Sequence, residues 1–380
     1  MVIQQKKYSI ANGWELVRNN EFNPTLANLV IVFGSTELLS KECIFSAIKN
    51  IYPNAVILIN STAGEIIDTQ VNDETISLTA IQLEKTVIKT GITQIDNANE
   101  SFIAGKVLAE QLDPIGLKNI LVIADGQKVN GSDLVLGLQR TLSPEVIITG
   151  GLAGDGARFA KTLIGLNEIP QEGQIAAIGF YGEDFTISYG SIGGWDSFGH
   201  ERLITRSEKN VLYELDNKPA LDIYKRYLGD YANELPLSGL LFPLSIRANN
   251  YSSSLVRTIL AVNEEEKSLT FAGNMPEGSY ARLMTANFDR LIEGASEAAQ
   301  QSISNDVKEP DLALLISCVG RKLVLNQRVE EEVEVVRAMY GDKTAIAGFY
   351  SYGEICPSAK QQHFSELHNQ TMTITTFTEQ

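Results

Sequence analysis

The sequence predicts a mixed α+β protein of the α/β class, in which repeated strand–helix–strand units combine parallel sheet with antiparallel strands. Three observations support this fold class. Short apolar runs are followed by apolar residues at helical spacing, other segments alternate between apolar and polar residues, and a glycine-rich turn with an acid recurs three times. Continuous apolar runs are typical of strands buried on both faces, and alternation is typical of half-buried antiparallel strands.

The first unit begins at the apolar run 29–34, which predicts a buried strand. Phe45, Ile48 and Tyr52 then recur on one face of a predicted helix, and a proline follows where that helix should end. A second buried strand is predicted at 55–59. This order predicts a βαβ-like module.

The same order occurs twice more along the chain. Strands predicted at 120–124 and 146–149 flank a helix for which Ser132 is the expected N-cap. Strands predicted at 312–317 and 344–349 flank a third helix. Three similar units indicate internal duplication.

Segments of another kind lie between and after these units. Residues 75–80, 176–189 and 371–375 alternate between apolar and polar, which predicts antiparallel strands. Helices are predicted at 219–227, in a crossover, and at 287–304. The chain should therefore contain both parallel and antiparallel sheet.

Each unit ends in a turn of small residues that carries one carboxylate. The acids are Glu65, Asp155 and Glu354. A single turn of this kind more often has a structural role, in which glycine adopts an unusual backbone conformation and the acid accepts backbone N–H groups. Three of them favour a binding role, because the carboxyl ends of parallel strands share one rim, where open α/β sheets bind ligands.

We therefore expect a polar cleft that binds a small molecule, with an amino acid as one candidate. Its carboxylates would hold an ammonium group, and Arg321 would hold a carboxylate in a bidentate manner, although a surface arginine that pairs with this acidic chain is an equally supported interpretation. One of Tyr350 and Tyr352 would stack on the ligand. The predicted ligand-binding residues are Ser61, Thr62, Gly64, Glu65, Gly151, Asp155, Arg321, Tyr350, Ser351, Tyr352 and Glu354.

Composition excludes several classes of partner. The chain has 380 residues and a net charge of −16, so it should repel phosphate backbones and anionic membranes.

Its apolar runs are too short to span a bilayer, and no signal peptide is predicted. The three cysteines lack CxxC spacing, which favours a reducing cytoplasm and argues against disulfides or structural zinc. We expect a cytoplasmic protein that binds neither nucleic acid nor membrane.

Several short stretches, taken in order, resemble those of the FIST family (F-box and intracellular signal transduction). The resemblance covers about residues 28–376 and predicts an N-terminal FIST region at 28–220 and a C-terminal FIST region at 221–376. The stretches that carry it are 61–66, 150–155, 218–221, 275–278, 317–321, 348–355 and 368–371.

The resemblance implies a sensory module that binds a small ligand. We expect it to be non-enzymatic and to need no cofactor. Family members are often fused to signalling output domains. Since the chain ends at Gln380, soon after the resemblance ends, we expect it to signal through a separate protein, such as a histidine kinase or a cyclic-dinucleotide enzyme.

The resemblance also leaves open a haem-binding nitric oxide sensor. Haem needs an axial ligand, and the candidate histidines are His200, His363 and His368. An enzyme is the third class, with Cys318 or Cys356 as nucleophile. It has the least support, because the sequence has no nucleophile elbow, P-loop or dinucleotide-binding fingerprint. We therefore predict no catalytic residue and no metal ligand.

Overall fold

The computed structural model describes residues 1–19, 21–247, 254–303, 309–358 and 361–380, the last range without the side chains of 361–363. Eight α-helices lie in the described ranges, together with strands that form four sheets. The helices are α1 (Thr36–Leu39), α2 (Glu42–Ile51), α3 (Ser101–Gln111), α4 (Gly131–Thr141), α5 (Ala220–Leu228), α6 (Phe288–Gln301), α7 (Val319–Leu325) and α8 (Glu331–Tyr340). The strands are β1 (Val2–Ser9), β2 (Gly13–Arg18), β3 (Leu29–Gly34), β4 (Val56–Ser61), β5 (Glu65–Ile67), β6 (Gln70–Asn72), β7 (Ile76–Gln82), β8 (Val87–Gln94), β9 (Leu117–Ala124), β10 (Ile147–Leu152), β11 (Ile164–Leu166), β12 (Gln174–Tyr181), β13 (Phe185–Ile192), β14 (Trp195–Glu208), β15 (Val211–Leu215), β16 (Lys218–Pro219), β17 (Leu244–Arg247), β18 (Leu255–Arg257), β19 (Ile259–Asn263), β20 (Ser268–Phe271), β21 (Tyr280–Ala286), β22 (Leu312–Cys318), β23 (Ala345–Ser351), β24 (Gly353–Ser358), β25 (Gln361–His368) and β26 (Met372–Glu379).

Three of the sheets share one plan, which confirms the predicted mixed fold. Their strand orders are β11-β4-β3-β7-β1-β2, β25-β24-β10-β9-β12-β8 and β13-β26-β22-β23-β5-β6. In each sheet one unit supplies a central parallel pair, and a third strand of the same unit runs antiparallel beside it. The three predicted strand–helix–strand units are thus present, one in each sheet.

The units also exchange edge strands in a cyclic order. The strand that follows each turn leaves its own sheet: β5 pairs with β23, β24 pairs with β10, and β11 pairs with β4. In the first two units the strand after the third strand also moves, since β8 joins the second sheet and β13 joins the third. Each sheet is therefore completed by strands of another unit.

The inner faces of the three sheets pack around one apolar core. It includes Phe33, Ile123 and Phe349, one from each sheet, and the rings of Phe33 and Phe349 lie 4.8 Å apart. A second apolar layer separates the sheets from the helices on their outer faces. Strands β3 and β22 are buried at every position, as their continuous apolar runs predicted.

The fourth sheet is antiparallel and forms a separate region between β13 and β22. The long strand β14 pairs with both β21 and β15, and α5 packs on this sheet over a core that includes Tyr224 and Phe271. We call this part of the chain, residues 195–286, the inserted region. No helix in the described ranges has the length and apolar character that a membrane span requires.

Two local predictions were wrong. The N-cap of α4 is Asn130, whose side chain accepts hydrogen bonds from the backbone N–H groups of Ser132 and Asp133. Gly150 and Gly151 lie inside β10 and not in the turn, because β10 continues to Leu152. Their lack of a side chain serves close packing: a Cβ on Gly150 would overlap the carbonyl of Val122.

Candidate ligand-binding site

The three turns meet at one end of the three sheets, joined by a ring of backbone hydrogen bonds. In each turn one N–H donates to a carbonyl of the next turn. The three bonds are Ala63 N to Tyr350 O at 2.8 Å, Gly154 N to Ser61 O at 3.1 Å and Tyr352 N to Leu152 O at 3.1 Å.

Strand register shows that this ring repeats one interaction three times. In each unit the first strand pairs with the second strand on one side and with the third strand on the other. The last residue that it pairs with both is Gly34, Ala124 or Ser317. The residues opposite these on the second strand are Ser61, Leu152 and Tyr350. They are therefore equivalent, and all three are the acceptors. The turns are related by an approximate threefold axis. The turns converge, as we expected. They lie at the ends of three different sheets, however, so the prediction that they share the rim of one sheet was wrong.

The carboxylate of Glu65 is buried and held by threonines. Thr62 Oγ1 donates to Oε1 at 2.6 Å, and Thr75 donates to Oε2 from its hydroxyl at 2.7 Å and from its backbone at 3.3 Å. Glu65 is 1% exposed. Burial raises the pKa of Glu65 to about 7, against the opposing effect of these hydrogen bonds.

Glu354 repeats this arrangement. Ser351 Oγ donates to Oε1 at 2.6 Å, and Thr371 donates to Oε2 from its hydroxyl at 3.0 Å and from its backbone at 3.2 Å. Burial raises the pKa of Glu354 to about 8. Two equivalent carboxyls thus sit in the protein interior with hydroxyl and amide partners.

Asp155 has a different place and a different role. The position equivalent to Glu65 and Glu354 is held by Ile164, because Ile164 pairs with Asn60 as Glu65 pairs with Phe349 and Glu354 with Gly151. The second turn therefore contains an inserted loop. Asp155 closes that loop by accepting backbone N–H groups at 2.8–2.9 Å; the donors are Phe159, Ala160 and Lys161.

The aromatic side chains of the third turn also point into the interior. Tyr352 donates its hydroxyl to Asp155 and stacks on Phe159, with ring centroids 4.5 Å apart. Tyr350 donates its hydroxyl to Glu332 at 2.6 Å. Burial raises the pKa of both phenols. Neither ring is exposed to a cleft, since both are 2% exposed or less.

Arg321 forms a buried ion pair and does not face solvent. Its Nε and Nη2 donate to the same Glu332 oxygen at 3.0 and 2.8 Å, and both residues are 0% exposed. Its remaining contacts are the carbonyls of Leu291, at 2.7 Å, and Gly193. Every guanidinium nitrogen thus has a protein acceptor.

The rest of the predicted set is also buried. Ser61 Oγ accepts the N–H of Leu163 at 2.8 Å, and Gly64, with φ of +137°, lies against Lys322. All eleven residues are buried in the structure; they are Ser61, Thr62, Gly64, Glu65, Gly151, Asp155, Arg321, Tyr350, Ser351, Tyr352 and Glu354. We call this set the turn junction. It is a packed polar interior and not the open cleft that we expected.

An open cleft of about 310 Å³ lies nearby, where the inserted region meets the three-sheet body. We call it the interface cleft. One wall is the segment 190–195, and the inserted region adds Leu255 and Met284. The body adds His368 and Thr371.

The turn junction directly supports the walls of this cleft. Arg321 holds the carbonyl of Gly193, and Thr371 binds Glu354 with its backbone and hydroxyl. Trp195 donates its indole N–H to the carbonyl of Gln370 at 2.8 Å. Arg321 and Glu354, which the sequence analysis predicted as ligand-binding residues, therefore hold residues of the cleft wall in place.

The side chains that line the described part of the interface cleft carry no formal charge at neutral pH. Apolar and aromatic groups alternate with Ser191, Ser254, Gln301 and Thr371. His368 donates from Nε2 to the carbonyl of Cys356 at 3.1 Å, because a carbonyl can only accept; the neutral ring therefore has its lone pair on Nδ1. Burial lowers the pKa of His368 to about 4, which keeps the imidazole neutral.

Among the described side chains, no three His, Cys, Asp or Glu residues are grouped as metal ligands. His200 is exposed on β14, and the side chain of His363 lies outside the described part. Burial raises the pKa of the Cys318 and Cys356 thiols, which opposes formation of a nucleophilic thiolate.

Sequence reasoning missed the wall 190–195. Its signal was the pair Gly193-Gly194 immediately before Trp195, at the end of an alternating strand. A Cβ on Gly194 would overlap the carbonyl of Arg290, and its φ of +78° also favours glycine. Glycine in a strand often marks a place where another backbone approaches closely.

The fold and the interface cleft define a class of α/β protein in which three strand-exchanging units carry an inserted antiparallel region. The chain belongs to the FIST family: residues 28–218 match the FIST N domain and residues 220–357 match the FIST C domain. FIST domains are sensory domains implicated in small-ligand binding and signalling.

Two further proteins are similar to this chain. An uncharacterized protein of Methanocaldococcus jannaschii is 25% identical over 215 residues, which are 52% of this chain and 39% of that protein. The match thus spans well under two thirds of the relative's length. A cyanuric acid hydrolase from A. caulinodans has a TM-score of 0.35 and 7% identity, over 100% of this chain and 99% of that one. So distant a likeness says nothing about function.

Proposed function

We propose that this protein is a non-enzymatic sensor that binds one small, uncharged molecule in the interface cleft. The observation that carries the proposal is the position of the cleft between the inserted region and the three-sheet body. Small-molecule sites occur preferentially at such boundaries. A ligand there contacts both parts and stabilises one arrangement of them.

The lining favours a ligand with apolar or aromatic surface and a few hydrogen-bonding groups. Trp195 and Met284 offer apolar contact, and Ser191 and Thr371 offer hydroxyls. A zwitterionic amino acid fits less well, because neither its ammonium nor its carboxylate meets an opposite charge among the described lining residues. The expected ligand class therefore changes from an amino acid to a neutral molecule.

The route from ligand to signal starts at the cleft wall. A ligand against 190–195 acts on the carbonyl that Arg321 holds and on the indole that Gln370 holds. Both contacts lead to the turn junction, which joins all three units. The bound state then reaches a separate signalling protein, for which a histidine kinase or a cyclic-dinucleotide enzyme is the candidate.

Tryptophan fluorescence tests the site directly. The chain has two tryptophans, so Trp14→Phe leaves Trp195 as the single reporter in the cleft wall. A panel of neutral amides and other neutral compounds that neither absorb nor emit with tryptophan, with non-aromatic zwitterionic amino acids beside them, is titrated against this variant. We expect a saturable emission change from a neutral compound, and stabilisation of about 2.7 kcal/mol when that compound is present at 100 times its dissociation constant.

A larger side chain in the cleft tests the site, and the same substitution at an exposed position is the control. Val256→Phe adds volume to the cleft lining, and Val87→Phe makes the same change at an exposed position on β8. Only Val256→Phe should weaken binding. Equal binding by the two variants would place the site elsewhere, and chemical conversion of the bound compound would contradict a non-enzymatic role.

A further inference from the structure

Two of the three units carry an extra helix that the first unit lacks. Helix α3 packs on α4 and β8, and α6 packs on α8 and β13. Strands β8 and β13 hold equivalent places, since each pairs antiparallel with the third strand of another unit's sheet. Strand β1 holds that place in the first sheet, beside β7. After β1 the chain forms β2 and a short 3-10 turn at Pro24–Leu26 in place of a helix, and of the described residues in this segment only Phe22 and Ala27 are buried in the core beside α2.

The equivalent surface of the first unit is partly apolar. Register places Lys6 opposite Leu16 and Tyr8 opposite Trp14, so these four side chains share one face of the β1–β2 hairpin. The ammonium of Lys6 lies 5.8 Å from the ring centroid of Tyr52, which follows α2, so this face is the one that adjoins α2. We call it the helix seat. Leu16 is 46% exposed, and Tyr8 and Trp14 are half-buried.

The two helices present in the other units show what such a seat accepts. Their buried faces consist largely of small residues, which are Ser101, Ala104, Gly105 and Ala109 of α3 and Gly294, Ala295, Ala298 and Ala299 of α6. A Cβ on Gly105 would overlap the carbonyl of Leu134, so α3 and α4 touch through their backbones. Helix α2 keeps a small residue, Ala47, where α4 has Gly137, if the two are aligned at their last turns.

Charge indicates one more property of the occupant. Lys6 has no carboxylate within ion-pair distance among the described residues, although the chain carries a net charge of −16. A half-buried cation in an apolar surface favours an acidic partner. A partner protein is favoured over a second copy of this chain, because the small-residue faces of α3 and α6 are already packed within their own units.

We propose that the helix seat binds a helix of a signalling partner, which presents small apolar residues on one face and an acidic residue to Lys6. This helix completes the first unit in the way that α3 and α6 complete the other two. The proposal does not depend on the interface cleft, since the seat lies on another sheet.

A labelled, helix-stabilised peptide with the α6 sequence, residues 288–301, serves as the probe. Its binding to the full chain is followed by fluorescence anisotropy and by Trp14 emission in a Trp195→Phe background. We expect saturable binding, and Leu16→Asp should weaken it about tenfold or more, because a charge then faces the apolar stripe. Leu237→Asp is the matched control, since Leu237 lies in the inserted region and its 47% exposure matches the 46% of Leu16.

A charge exchange tests the role of Lys6. Lys6→Glu should weaken binding of the peptide, which contains Glu293 and Glu297. A peptide with Glu293→Lys and Glu297→Lys should bind Lys6→Glu better than it binds the unchanged protein. Absence of peptide binding, or equal losses from Leu16→Asp and Leu237→Asp, would overturn the proposal. Sedimentation that shows a dimer dissociated by Leu16→Asp would also overturn it, because the occupant would then be a second copy.

Discussion

Thr371 binds one oxygen of Glu354 twice, through its backbone N–H at 3.2 Å and its hydroxyl at 3.0 Å. Thr75 binds Glu65 in the same way, at the equivalent place of another unit. The two carboxyls have no cationic partner within ion-pair distance among the described residues. Burial therefore dominates, and it favours the neutral acid.

The first prediction concerns pH. In the folded protein the pKa of Glu65 is about 7 and that of Glu354 about 8, both above the ordinary 4.5. Between the ordinary pKa of 4.5 and these raised values, the folded state thus binds more protons than the unfolded state. The stabilising contribution is full below about pH 4.5 and is lost as the pH rises to 8, by up to about 1.4 kcal/mol per pH unit for each carboxyl.

Urea denaturation across pH 5–9 measures this effect. Glu354→Gln should flatten the decline and leave the variant more stable than the unchanged protein above pH 8, since the amide resembles the neutral acid. The control is Glu145→Gln on the surface, which should reproduce the original profile. A profile for Glu354→Gln parallel to the original would contradict the buried neutral carboxyl.

The second prediction concerns the ion pair of Arg321 and Glu332. Arg321→Met leaves the Glu332 carboxylate buried and unpaired, so we expect the free energy of unfolding to fall by about 3–5 kcal/mol. Arg328→Met breaks the exposed pairs with Glu331 and Asp289 and should change stability little. Chemical denaturation of both variants checks the comparison, and a similar small loss in each would show that the buried pair contributes no more than the exposed one.

The third prediction concerns the inserted loop of the second turn. Asp155→Ala removes the acceptor of three backbone N–H groups, and trypsin should then cut after Arg158 and Lys161 in the folded protein. The control is Asp125→Ala, because Asp125 accepts the N–H of Lys128 at 2.8 Å in a different loop. That variant should expose Lys128 instead. Unchanged cleavage at Arg158 in Asp155→Ala would refute this role for the carboxylate.

The fourth prediction separates the interface cleft from the turn junction. Thr371→Val and Thr75→Val remove equivalent hydroxyls from equivalent carboxyls, but only Thr371 lines the interface cleft. Both variants should lose similar stability, of about 1–2 kcal/mol. Only Thr371→Val should lower the affinity for the compound identified by Trp195 fluorescence. Equal affinities in a direct titration would show that the cleft does not use this hydroxyl.

The sequence predicted the three units well, because each depends on local patterns. The apolar run at β3 and the helical spacing of Ile48 and Tyr52 are properties of neighbouring residues. The convergence of the three turns was also predictable from their repetition. The ligand-binding role assigned to residues of the turn junction remains a prediction.

Other features depend on contacts between distant segments and leave little local signal. Asp155 looks like a third copy of Glu65, and only the pairing of Ile164 with Asn60 shows that the loop shifts the register. Arg321 could not be placed without its partner Glu332 on another helix. The interface cleft arises where the inserted region meets the body, so no single stretch predicts it.

The exchange of edge strands has a consequence for synthesis on the ribosome. Strand β5 emerges early, yet its partner β23 is among the last strands to be made, since Glu65 pairs with Phe349. Until then the apolar edge of the first unit has no partner and can pair with other nascent chains. Elongation rate and chaperone supply should therefore govern the yield of this protein more strongly than they would if each unit closed its own sheet.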